Sequence, residues 1–292
     1  MGEGGEARWW WWPGEARGEE RGRALSPSHP PPPSPLHSPY GWLETFDPDF
    51  TPNTTDLPGR RYSFRGQPLA AAWNAERLAT AFAVAGLVTA EQGGAVVDGF
   101  ADALATGYAS RAAAKMGLPQ HDKPLATRWL TLLAAAGADW TNAWRSLSSV
   151  TTAGVDAGAN PPADLAAALA RAPPVAGDRS APVTWEAAGV PEGVRADAAA
   201  WLADYRAALV AAGAADAARS AAQDSVNPAV VPRNHLLQAA IDGASTGDLD
   251  ELNALLGALA VPFEPPPPAL ARLRVPAPRA PRRGVELLSC SS

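Results

Sequence analysis

The side chains that could do chemistry are few and scattered. Asp47-Pro48-Asp49, followed by Asp56, could be read as paired carboxylates for a cation or a proton. In a stretch this rich in Pro and Gly, such aspartates usually accept hydrogen bonds from their own backbone, and the turn reading is preferred. Four histidines exist, His29, His37, His121 and His235, and no pair has metal-ligand spacing with a third ligand nearby. His235 is expected at a helix start, as a surface or capping residue. The single cysteine, Cys290, excludes an intramolecular disulfide and a Cys/His zinc site. There is no Walker loop, no Gly-x-Gly-x-x-Gly cradle and no serine in a nucleophile elbow. Gly93-Gly94, inside a helical pattern, reads as close helix packing. Residue by residue, no catalytic, cofactor-binding or metal-ligating set can be named. Cys290 is the one candidate redox residue, an accessible tail thiol open to mixed disulfides, with an inert thiol as the alternative.

The elements that would position any site are helices. Residues 1–38 read as a disordered low-complexity tail, because the tract from Ser26 to Pro35 favours polyproline II over packing. Residues 39–67 read as an ordered loop. From Pro68, suited to a first helical position, apolar residues recur at helical spacing. Leu78, Phe82 and Ala85 share a face, as do Val97, Phe100, Leu104 and Tyr108. Leu125, Trp129, Leu132 and Leu133 form a third stripe that Gly137 can end, and Asp139 can cap a helix carrying Trp140, Trp144 and Leu147. A short helix is expected around Leu165–Leu169, a flexible loop over 172–182, and a long helix through Val194, Ala198, Trp201, Tyr205 and Leu209. Asn227-Pro228 reads as a helix start, and Asp248 with Glu251 has capping-box spacing. Strand signals are almost absent, so the region 39–264 is expected to be mostly α. Residues 265–292 form a Pro/Arg-rich tail, with Arg272, Arg274, Arg279, Arg282 and Arg283 expected to be solvated.

Composition excludes some functions. With 24 basic and 30 acidic residues the net charge is −6, which gives no electrostatic case for nucleic acid. No apolar run approaches the length of a membrane span. The first 24 residues mix arginine with glutamate, a poor match to an organellar transit peptide, and Trp9–Trp12 is too short for a signal peptide. The four tryptophans are read as an exposed feature of the tail.

Several longer blocks, taken in order, say more than any single residue. They begin with Pro39-Tyr40-Gly41-Trp42-Leu43-Glu44, Phe46-Asp47-Pro48-Asp49-Phe50-Thr51-Pro52-Asn53-Thr54-Thr55-Asp56, and Gly59-Arg60-Arg61-Tyr62-Ser63-Phe64. Gln67-Pro68, Trp73-Asn74, Met116-Gly117-Leu118-Pro119 and Asp139-Trp140-Thr141-Asn142 with Arg145 follow. Ser225-Val226-Asn227-Pro228 with Arg233-Asn234, Gly247-Asp248, Pro262-Phe263 and the ending Ser289-Cys290-Ser291-Ser292 complete the series. Together they resemble the selenoprotein O family, particularly its plant-like form, over about residues 39–292 and most weakly through 149–223.

The resemblance implies the helical C-terminal part of a kinase-like, pseudokinase-type fold that transfers AMP from ATP to Ser, Thr or Tyr hydroxyls of proteins. ATP and magnesium would serve the complete family, with protein substrates as partners. The family's nucleotide groups lie upstream of the Pro39 block, ending in an Asp-Tyr/Phe-Gly-Pro pattern. Here the corresponding run is Leu36-His37-Ser38-Pro39, and leucine cannot coordinate magnesium. The expectation is therefore a truncated member, from an incomplete gene model or an alternative first exon, inactive by itself and with no cofactor of its own. An alternative of another class is a stand-alone helical interaction module with a redox-sensitive Cys290, docking a partner on exposed apolar helix faces. The resemblance points to an organelle, mitochondrion or plastid, although the N-terminus carries no convincing transit peptide.

Overall fold

The computed structural model describes residues 44–51, 56, 58–152 and 160–277. Leu36, His29, His37, Trp9–Trp12, most of the Pro39 block, Cys290 and the last three arginines lie outside the described residues, so the expectations placed on them stop at the sequence. Among the described residues the protein is helical: α1 (Gln67–Val84), α2 (Ala90–Met116), α3 (Lys123–Ala136), α4 (Trp140–Ser146), α5 (Ala163–Leu169), α6 (Glu192–Ala212), α7 (Asp216–Val226), α8 (Asn234–Ser245) and α9 (Asp250–Ala260). Short 3-10 turns lie at Phe64–Gly66, Leu147–Ser149 and Pro268–Arg274. None of these helices is long and apolar enough to cross a membrane.

The helix ends follow from local chemistry. Thr89 and Gln92 make a reciprocal capping box at the start of α2, with Gln92 N donating to Thr89 Oγ1 at 3.1 Å and Thr89 N to Gln92 Oε1 at 2.8 Å. Asp122 and Asp139 cap α3 and α4 by accepting from Leu125 N and Asn142 N, each at 2.9 Å. Gly137 ends α3 in the left-handed conformation, as its position in the sequence predicts. Gly117 ends α2 the same way at φ 66°, and a Cβ there would sit 2.8 Å from the Gln223 side chain and 2.9 Å from that of Arg219. Glycine is required at Gly117 both by backbone conformation and by space.

The main core gathers α3, α4, α5 and α6, with the end of α2 and Phe46. Through it runs a continuous chain of aromatic rings. Phe64 meets Phe46 edge-on at 5.1 Å, Phe46 lies 4.8 Å from Trp140, and Trp140 lies 5.5 Å from Trp144. Trp144 meets Trp129 at 6.2 Å, Trp129 stacks on Trp201 at 4.4 Å, and Trp201 stacks on Tyr205 at 4.9 Å. The polar ends of the last two rings are satisfied: Trp201 Nε1 donates to Leu125 O at 3.0 Å and Tyr205 Oη to Met116 O at 2.7 Å. Burial pushes the Tyr205 phenol up to about 12. A second, smaller core joins Ala229, Val230, Leu236 and Leu255 with Leu273.

Four local expectations need correction. Asn227 ends α7, and helix α8 starts only at Asn234. The intervening run is held extended because Ala229 N and Val230 N both donate to Pro262 O, at 2.7 and 3.1 Å, and Pro232 has no N–H to give a helix. Asp248 accepts from Asp250 N at 2.9 Å, so it forms an Asx turn, and the helix starts after Leu249 without a side-chain cap. The stretch Pro268–Arg274 is a 3-10 turn whose Leu273 is fully buried and whose Arg272 donates to Glu251 at 2.6 Å, rather than a solvated tail. Finally, Gly93 does face Ala79 of α1 at contact distance, but Gly94 faces open space.

Trp144 is buried between Trp129 and Trp140. Trp144→Ala should cost about 3–5 kcal/mol, the range for deleting a large buried aromatic. An unchanged urea midpoint would show that the ring is not part of this core.

Candidate functional site

The sequence blocks that carried the resemblance converge on one buried polar cluster. Residues 44–46 run antiparallel to 138–140: Phe46 N donates to Ala138 O at 2.8 Å and Trp140 N to Glu44 O at 2.9 Å. This fixes Asp139, whose carboxylate caps α4 and also meets the guanidinium fork of Arg233, with Arg233 Nη2 2.8 Å from Oδ1 and Nη1 bonded to Oδ2. Both side chains are 1% exposed. Burial works against the Arg233 charge, but Asp139 and then Glu44 outweigh it and hold its pKa above the ordinary value. Glu44 takes Asn234 N at 3.1 Å and lies 3.9 Å from His235 Nδ1. Burial would raise the Glu44 carboxyl; the contact with His235 and the charge of Arg233 more than reverse that, leaving it lowered.

Arg145, one turn along α4, reaches the opposite side. Its Nη1 donates to the carbonyls of Asp224, Asn227 and Phe263 at 2.7, 2.6 and 3.0 Å, and its Nε lies 3.0 Å from Asp224 Oδ1. Burial lowers its pKa to about 10, offset in part by Asp224. Arg179 donates from Nε to Asp164 at 2.7 Å and from Nη2 to Arg145 O and Ser148 Oγ, each at 3.1 Å. The 172–182 segment, read from sequence as a flexible loop, is thus tied to α4 by Arg179 and to α5 by Arg179, by Val175 N donating to Asp164 Oδ1 at 3.1 Å and by Ala163 N donating to Ala181 O at 2.8 Å. Lys115 Nζ donates to Asn227 Oδ1 at 3.0 Å and lies 5.8 Å from the Trp144 ring, while Asn227 Nδ2 and Gln223 Nε2 both donate to Lys115 O. Burial, followed by repulsion from Arg111, depresses the Lys115 amine to about 8.

These side chains are committed to carbonyls and carboxylates of the fold itself. The arrangement locks the loop between α7 and α8 against α2 and α4, and it presents no nucleophile beside a free base. Asp47 Oδ1 accepts from Asp49 N at 2.9 Å, and Asp56 collects Thr51 Oγ1 with the N–H groups of Arg61 and Tyr62. Asp47 and Asp56 therefore serve the turn chemistry preferred from sequence, whereas the Asp49 carboxylate pairs with the Arg65 guanidinium. His121 packs edge-on against Tyr108, far from His235 in the chain. Among the described residues, no three His, Cys, Asp or Glu side chains come together as a metal would need. Beside the cluster an open polar groove of about 360 Å³ is lined by Ser148, Thr151, Asp178, Arg179, Asp216 and Ser220, among others. Sequence reasoning named Asp139, Arg145, Asn227 and Arg233 within blocks but missed Lys115, Asp164, Arg179 and Asp224. A buried arginine or lysine leaves no apolar periodicity to detect.

Residues 36–260 match the family model described as protein adenylyltransferase SelO. The chain belongs to the SelO family. Among its relatives, the protein nucleotidyltransferase YdiU of Xanthomonas campestris pv. campestris (strain B100) is 35% identical over 264 residues, covering 88% of this chain and 46% of its own. The YdiU of Methylobacillus flagellatus is 35% identical over 265 residues with the same coverages, and that of Rhodopirellula baltica is 33% identical over 281 residues. The chain thus spans about half the length of the SelO relatives it matches.

Two measurements test the cluster. Arg233→Met leaves the Asp139 charge buried without its partner and should cost about 3–5 kcal/mol. Adding Asp139→Asn, which keeps a capping side chain, should recover a large part of that loss, as read from paired denaturation curves. The Lys115 amine, with its pKa moved from 10.5 to about 8 in the folded state, gives a second test. Between those values the unfolded chain holds a proton that the folded chain does not, so this group makes stability rise with pH across the window. Relative to Lys115→Arg, which stays charged, the native protein should therefore gain stability from pH 8 to 10; a constant difference would show that the amine is solvated.

Proposed function

We propose that this chain provides the helical half of a protein adenylyltransferase, and that residues 1–292 by themselves do not transfer AMP. The observation that carries the reading is the match to the SelO family over residues 36–260, combined with coverage of only 46% of the YdiU relatives. AMP transfer from ATP to a protein hydroxyl needs a metal to offset phosphate charge, a cation to hold the phosphates and a carboxylate to orient the acceptor. Arg145 and Arg179 are spent on backbone carbonyls and on Asp164 and Asp224, and the described residues bring no carboxylate cluster together. At the position where the resemblance calls for the last metal-binding aspartate, the sequence has Leu36. The role left to the described residues is to carry and stiffen, through the Asp139–Arg233 and Arg145 contacts, the region that follows the nucleotide site.

The test uses labelled ATP, magnesium and protein acceptors. The chain should give no labelled acceptor, and Leu36→Asp alone should not rescue it, since one carboxylate cannot supply phosphate binding and alignment together. A chimera joining the Xanthomonas YdiU sequence that precedes the Pro39 block, its metal-binding aspartate included, to this chain from Pro39 onward should give label. Labelled acceptor from the unaltered chain would overturn the reading.

A further inference from the structure

The hairpin of α1 and α2 is the part of the fold that does not look finished. Across its 18 residues α1 buries only Ala70, and across its 27 residues α2 buries only Gly93, Ala112, Ala113 and Met116. Three of those four lie in the last turns of α2, where it meets α7. The rest of the hairpin packs chiefly on itself, with Gly93 against Ala79. Its large apolar side chains face outward: Leu69 56%, Leu78 56%, Phe82 44%, Val84 85%, Leu87 70% and Val96 66% exposed.

The placement of these residues is informative. At about 3.6 residues per turn, Leu78 and Phe82 lie on one flank of the line through Ala79, and Leu69 and Val84 on the other. The flank of Leu78 and Phe82, which also carries Ala71 and Ala75, is apolar, whereas Glu76, Arg77 and Thr80 share the other flank with Leu69 and Val84; an apolar stripe of the first kind is the face a helix turns to a core. A helix pair of this kind has no reason to stay folded in water on its own side chains. Leu78, Phe82 and Ala85 share a face as their spacing predicts, and nothing among the described residues covers Leu78 and Phe82.

We propose that this face is the seat of the half of the SelO fold that the matched residues do not span, whatever polypeptide carries it. Two observations select that occupant. The family match begins at residue 36 and α1 at Gln67, so the uncovered hairpin lies at the N-terminal edge of the matched region. The relatives have about as much sequence outside the match as within it, enough to cover that stripe. At the other end of the region α8 and α9 also expose Ile241 and Leu256, but they share a core of their own through Leu236, Leu255 and Leu273, which α1 lacks. The occupant should present an apolar surface to the stripe of Leu78 and Phe82.

This inference rests on the functional reading above only through the family membership. The test compares amide exchange and melting in the chain 1–292, in the YdiU chimera, and in both carrying Leu78→Glu with Phe82→Glu. In 1–292 the amides of 67–104 should exchange at least about a hundredfold faster than those of α3, and the double substitution should leave the melting curve unchanged. In the chimera the same amides should slow about a hundredfold, and the double substitution should remove that protection. Three results overturn the proposal. They are a hairpin equally fast in the chimera, a chimera that fails to fold, and a dimeric 1–292 with a protected hairpin, which would give the face to a second copy. A protected hairpin with no AMP transfer sinks the functional reading and leaves the interface standing; transfer with an unprotected hairpin does the reverse.

Discussion

The paired contact between Asp139 and Arg233 is the constraint on which the rest of the helical region hangs. One carboxylate receives the first turn of α4 and the guanidinium that introduces α8, while its own backbone is zipped to residues 44–46. Three segments distant in the chain thereby meet at a single residue. Burying a charge pair this completely gives little net stability, since desolvation offsets most of the attraction. Its value is in register: any other alignment of the 44–46 strand or of the α7–α8 linker would leave a buried charge unmatched. Arg145 extends the same logic to the backbone, because a guanidinium that donates to three carbonyls determines the path of the chain through Asn227 and Phe263.

How much of this was legible in the sequence depended on the type of interaction. Trp129, Trp144, Trp201, Tyr205 and Leu209 were readable because helical spacing reports an apolar face directly, and each is buried. Asp139 and Gly137 were readable because caps and left-handed residues have their own chemistry. The start of α8 was not, since Asn227-Pro228 has the local signature of a helix start, and a distant acceptor, Pro262 O, decides otherwise. Arg179 was hidden for a similar reason: it stands in a loop rich in Pro and Gly, and its partners come from α4 and α5. The α1 stripe shows the opposite limit, a pattern read correctly whose covering surface the chain does not provide among its described residues.

The family block structure follows the same division. Glu44, Asp139, Arg145, Asn227 and Arg233-Asn234 are far apart in sequence, and the structure joins them: Arg145 donates to Asn227 O, Arg233 to Asp139, and Asn234 N to Glu44. Such residues are individually plain and collectively demanding, which is why single motifs said nothing here and their order said a great deal.

The row of rings from Phe64 to Tyr205 also has an optical consequence. Trp129 and Trp201 lie face to face at 4.4 Å, close enough for their indole transitions to couple, and Trp201 is in turn stacked on Tyr205. Light absorbed anywhere along the row will migrate between neighbouring chromophores before it is emitted. The near-ultraviolet dichroism of the protein should therefore be dominated by one stacked pair rather than by an average over its eleven tryptophans. Because that pair bridges α3 and α6, the molecule carries a built-in spectroscopic gauge of whether those two helices are in contact.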